Sequence, residues 1–202
     1  MRQKGTPDKS AGKVIQYKLN DGQWQTWDLS AVSLHDGDKM YLKSDDEIPI
    51  SESSSIYKIF VMTGSIAASG NIISLLNFST TLTNYAFYEL FNNCRSLTAA
   101  PALPAIKLAP SCYKSMFSSC TSLVQAPELP ATTLTSYCYQ NMFFGCHSLN
   151  YIKALFTTLN ITYTFNWVSN VSKTGTFVKS KDATWNEDGI NGIPTGWTVQ
   201  TV

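Results

Sequence analysis

Five cysteines and two histidines are the side chains of this 202-residue chain whose type and spacing first suggest a site. Cys94, Cys120 and Cys146 stand 26 residues apart, and Cys112 and Cys138 repeat the same interval. Two chemistries would use such a set. One is a zinc site, which needs thiolates and imidazoles converging tetrahedrally, and the other is a ladder of disulfides. No C-x-x-C pair is present, the shortest spacing being eight residues, and an odd total leaves at least one thiol unpaired. A thiolate activated by an imidazole would need His35 or His147. His147 directly follows Cys146, and neighbouring side chains point apart in a repeat unit. His147 is therefore expected on a solvated turn, out of reach of the thiol. The cysteines are read as buried, reduced and packing as small hydrophobes. Neither a G-x-S-x-G elbow, nor a phosphate-binding glycine loop, nor an H-E-x-x-H helix occurs. The chain is read as a non-enzyme, with no cofactor and no metal.

The interval belongs to a repeat. Cys94–Ser119 aligned on Cys120–Gly145 gives 13 identities in 26, on the skeleton C-x-S-L-x-x-A-P-x-L-P-A-x-x-L-x-x-x-C-Y-x-x-M-F. A decayed copy precedes the pair, with Leu82, Ala86, Phe87, Leu90 and Phe91 at the places of Leu108, Cys112, Tyr113, Met116 and Phe117. Another follows, where Cys146, Ser148 and Leu149 restart the unit. There Ile152 and Leu155 stand for Ala126 and Leu129, and the pattern is lost after Phe156. In each unit, S-L-x-x-A-P-x-L-P is bounded by prolines that neither donate to a ladder nor continue a helix, which suits a brief strand. In Ser136–Phe143, Cys138 and Met142, and likewise Tyr139 and Phe143, are four apart. That spacing predicts one apolar face on a turn or two of helix. A strand-like and a helical half per unit predict an α+β fold, a short leucine-rich-repeat solenoid whose core exists only by stacking.

Around it, residues 1–12 read as a flexible, polar and basic segment without the apolar stretch of a signal peptide. Residues 13–56 read as a small β-rich unit, with turns at Asn20-Asp21-Gly22 and His35-Asp36-Gly37-Asp38 and tryptophans at 24 and 27. The solenoid is placed at 57–156. A C-terminal β cap at 157–202 carries Trp167, Phe177, Trp185 and Trp197 among Gly189, Gly192 and Gly196. With 14% charged residues and a net charge of +1, the chain has too weak a field to steer toward nucleic acid. No apolar run is long enough to span a bilayer.

Tyr113, Phe117, Tyr139 and Phe143 fall at core spacing, whereas Phe144 replaces Ser118 of the earlier copy and is a contact candidate. A second candidate surface comprises the variable positions of the strand half: Thr98, Ala99, Val124, Gln125, Asn150 and Tyr151. Asn77, Asn160 and Asn170 fit the N-glycosylation pattern, which is discounted.

The unit C-T-S-L, A-P-E-L-P-A-T-T-L, C-Y, M-F-F-G-C resembles the repeat of the BspA-like leucine-rich-repeat proteins of bacterial cell surfaces. Residues 58–76 (KIFVMTGSIAASGNIISLL) resemble the opening segment of that family, and 175–199 its closing segment, so the resemblance covers roughly 57–202. It implies an exported, extracellular or cell-surface protein that binds a protein or glycan of a host or neighbouring cell, adhesin-like, and it brings no catalytic residues. The alternative is a bacteriophage virion or tail-associated attachment protein carrying the same repeats, toward which the leaderless Met1 points.

Overall fold

The computed structural model describes residues 2–4 and 13–202. Most of the flexible segment expected at 1–12 lies outside the described residues, and residues 2–4 form strand β1 (Arg2–Lys4), antiparallel to β5 (Tyr57–Ile59). Strands β2 (Gln16–Leu19), β3 (Gln25–Thr26) and β4 (Met40–Lys43) make an antiparallel sheet in the order β3-β2-β4. Its hairpin turns at Asn20, which takes a left-handed φ of 50°, a conformation asparagine tolerates better than most residues. The Asn20 side chain donates to Asp38 Oδ1 at 2.9 Å and accepts from the Lys39 amide at 2.9 Å, tying the two predicted turns together. A side chain at Gly22 would bring a Cβ within 2.9 Å of the Leu19 carbonyl, so glycine is needed there for space.

The leucine-rich-repeat solenoid of α+β class, with a strand and a helix in every coil, is not what the chain forms. Among the described residues there is no α-helix, and the one helical segment is a 3-10 turn at Ile72–Leu76. The strands gather in small sheets of two or three: β6 (Ile66–Ala67) with β7 (Leu97–Ala99), and a parallel set of β8 (Tyr151–Ala154), β9 (Thr176–Lys179) and β10 (Thr198–Thr201). The segments expected to be helical are ribbons of consecutive turns. The amides of Cys112, Lys114, Met116, Ser118 and Cys120 each donate to the carbonyl three residues back. Between them, the amides of Ser111, Tyr113, Ser115, Phe117 and Ser119 donate to the carbonyls of Ser136, Cys138, Gln140, Met142 and Phe144 in the next unit. An α-helix would keep all of these bonds within the segment. Here half of them join neighbouring units.

Every fourth residue makes this possible. Tyr85, Glu89 and Asn93, then Ser111, Ser115 and Ser119, then Tyr137, Asn141 and Gly145, all have φ between 49° and 72°. Such a residue ends any helix, at about 1–2 kcal/mol for a residue with a Cβ. The two residues after it turn inward: Cys112 and Tyr113, then Met116 and Phe117, are each at most 1% exposed. Burying a methionine or phenylalanine is worth about 1.5–3 kcal/mol, so one turn recovers the strain of its left-handed residue. A four-residue turn and a 3.6-residue helix both place i and i+4 on one face, and eight residues are too few to tell them apart.

Stacking then runs ring on ring. Phe60, Phe91, Phe117 and Phe143 form one column at centroid separations of 5.0, 5.4 and 5.8 Å. Phe87, Tyr113, Tyr139 and Trp167 form a second at 5.8, 6.3 and 6.2 Å. Trp27 of the N-terminal sheet stacks on Phe60 at 6.4 Å, so that sheet shares the core of the repeats. At the other end the indoles of Trp167, Trp185 and Trp197 donate to the carbonyls of Gly192, Phe156 and Ser172. Past the two full copies the unit shortens: Gln125 opposes Tyr151, but Leu129 opposes Ala154. Ala154 therefore takes the inward place expected of Leu155, which is only half-buried.

Candidate functional site

The cysteines come first, because they carried the chemical question. All five are unpaired and buried. Cys120 and Cys146 donate their thiol hydrogens to the carbonyls of Phe91 and Phe117 at 3.1 and 3.0 Å, and Cys94 donates to that of Phe60 at 3.3 Å. Phe91 and Phe117 also accept from the amides of Cys94 and Cys120, so each carbonyl uses both lone pairs. Burial pushes the thiols of Cys94, Cys138 and Cys146 up to about 12 and those of Cys112 and Cys120 further still. A thiol needs to ionise to attack or to ligate, and these stay protonated at neutral pH. His147 is exposed, as is His35, which faces Asp38 at 3.4 Å. Among the described residues no group of three or more His, Cys, Asp or Glu converges to hold a metal.

The surface offers a groove instead, of about 680 Å³, between the strand halves of the two full copies. One wall is formed by Thr98, Ala99, Ala100, Ala102, Leu103 and Pro104. The other is formed by Val124, Gln125, Ala126, Pro127, Glu128 and Pro130. Four of the predicted contact residues, Thr98, Ala99, Val124 and Gln125, are therefore brought together. Thr98 is exposed and donates its hydroxyl to the Ile66 carbonyl at 3.1 Å, while Val124 is 48% exposed. Asn150 and Tyr151 sit just beyond the second wall. Gln125 opposes Tyr151 across a parallel bridge, and the Asn150 amide donates to the Val124 carbonyl at 2.9 Å. Phe144 is not part of this surface. It lies on the turn ribbon, 36% exposed, with its carbonyl accepting from the Ser119 amide.

Glu128 is a groove residue that the sequence reading missed. It differs from its equivalent Ala102 just as Val124 differs from Thr98, so the same comparison between copies would have found it. Its carboxylate pairs with Lys153 of the following unit at 3.1 Å and stays half exposed. The turn half also exposes the ring of Tyr137, but the Lys114 ammonium already lies 5.7 Å from its centroid and 6.0 Å from that of the buried Tyr88. No helix among the described residues is long and apolar enough to cross a membrane. Comparison with family models, with curated proteins and with solved structures finds no match to this chain.

Proposed function

We propose that the chain is a non-enzymatic interaction module which binds a protein or glycan of a host or neighbouring cell surface at the groove between its repeats. The observation that carries this reading is the coincidence of sequence variation with shape. Thr98, Val124, Gln125 and Glu128 break the identity of the two copies, and they line the groove while their neighbours Leu97, Leu123 and Leu129 are buried. Positions that change while the scaffold holds are where a repeat protein places its contacts. The protonated thiols argue in the same direction, since the residues best suited to covalent chemistry are spent on packing. The resemblance of the repeat to BspA-like surface proteins supports an extracellular or cell-surface location.

The test is a screen of the full chain against arrayed glycans and immobilised matrix proteins, run beside a Val124→Glu, Gln125→Lys double variant. Saturable binding by the parent, lost in the variant with its melting temperature unchanged, is the expected result. Equal binding by both proteins, or by neither, removes the groove as the binding face.

A further inference from the structure

The backbone hydrogen bonds around the groove do not close. Ala102 gives its amide to Gly70 and its carbonyl to Ile72, both in the preceding unit. Leu129 gives its amide to Lys153 and its carbonyl to Leu155, both in the following unit. The two strand segments thus turn their bonds away from each other. Among the described residues no backbone hydrogen bond joins 98–104 to 124–130, although the turn halves of the same two units are joined by five. Ala100 and Leu103 on one wall, and Gln125 and Glu128 on the other, have no backbone partner at amide or carbonyl among the described residues, and all four line the groove.

From this we infer that the groove takes an extended polypeptide strand of a partner protein, one carrying a lysine or arginine among small side chains. The inference rests on the reading of the groove as the binding face. Two unpaired strand edges facing one another offer an inserted strand donors and acceptors on both sides, the arrangement that strand addition uses. Sugar hydroxyls have no alternation of amide and carbonyl to match such edges. Pro104, Pro127 and Pro130 have no amide hydrogen, so they weaken closure of the gap by the chain itself. Ala99, Ala100 and Ala102 keep one wall low enough for a backbone to approach. Among the described residues Glu128 is the one charged side chain lining the groove; its carboxylate pairs with Lys153 at 3.1 Å yet stays half exposed, which leaves it able to favour a cation on the incoming strand.

The probe is a fluorescein-labelled pool of peptides as long as the 98–104 wall, built from Ala, Thr and Val around a central Lys, titrated into the full chain by anisotropy. Saturable binding is expected, abolished when alternate peptide amides are N-methylated and several-fold weaker with Glu128→Gln. Gln125→Pro removes an amide that makes no bond within the chain and should weaken binding about tenfold, the worth of one hydrogen bond. Should that variant melt early, the N-methylated peptides decide alone. Undiminished binding of N-methylated peptides overturns the inference. If the chain binds an arrayed glycan or a folded matrix protein but no peptide, the inference falls and the binding reading stands. If nothing binds in any arm, both fall.

Discussion

The two halves of the repeat solve the same problem differently. In the turn half, alternate amides bond within the unit and to the next one, and rings stack in columns below them. In the strand half, the same two units face each other with four residues unbonded and a groove between. Sequence identity between the copies is high in both halves, so conserved core residues alone do not decide whether neighbours pair. What decides is the direction in which each strand residue points its amide and carbonyl, and that depends on the unit beyond. Leu129 bonds toward the shortened unit that follows and Ala102 toward the unit that precedes, so the two walls do not pair with each other. The lesson is a division of labour. The turn half holds the stack together, which leaves the strand half free to stay open.

The largest effect should separate two adjacent residues of the strand half. Leu123 is fully buried, and Val124 is 48% exposed on the groove wall. Leu123→Asp places an unpaired charge in the core, which should cost at least about 5 kcal/mol and abolish cooperative unfolding. Val124→Asp should stay within about 0.5 kcal/mol of the parent. Circular dichroism melts of the two variants check this. Similar melting for both would mean that the strand half has no inner and outer face, and the contrast between the halves would fail.

Alkaline pH should act next, and on the turn half. All five thiols lie in or at the end of a turn ribbon, as do the buried phenols of Tyr113 and Tyr139, which burial also pushes up. A thiol ionises near 8.5 in an unfolded chain and near 12 at Cys94, Cys138 and Cys146 in the fold. The folded value is the higher one, so the folded state holds more protons between these limits. The contribution to stability is complete below the unfolded value and is lost as pH rises through the folded one. Melting temperature should therefore fall steadily from about pH 9 to 12, and less steeply in a variant with all five cysteines replaced by Ala. A flat profile to pH 11 would show that the thiols titrate freely and are not packed as described.

How much of this was legible beforehand follows the range of the forces involved. The repeat and its inward residues could be read because identity at Leu97 and Leu123, or Phe117 and Phe143, reports a shared core contact. The hairpin at Asn20 could be read because its chemistry is local. The helix was a misreading, since spacing by four fits a ribbon of turns equally well. The signal that separates them, Ser111, Ser115 and Ser119 at every fourth place, is blurred by Tyr85, Glu89 and Tyr137 in the other units. Thr98, Val124 and Gln125 were found from variation between copies. The gap they line was not legible, because it arises from hydrogen bonds that each wall makes with the unit on its far side.

The smallest effect is the most discriminating, because its sign differs between the halves. Ser115 has φ of 56° in the turn half. Glycine relieves the left-handed strain, about 1–2 kcal/mol, and gives back about 0.5–1 kcal/mol in chain entropy. Ser115→Gly should thus stabilise the protein by about 0.5–1 kcal/mol, raising the denaturant midpoint, whereas Ser115→Val should lower it. In a helix the same glycine would cost about 1 kcal/mol. The strand half has no left-handed position between 97 and 131 other than those of the ribbon at 111, 115 and 119. Val124→Gly should accordingly destabilise, by the same order that glycine costs within a strand. Opposite signs at Ser115 and Val124 are what the division of labour requires. A midpoint that drops for both would return the turn half to an ordinary helix and remove the physical basis for treating the two halves as different.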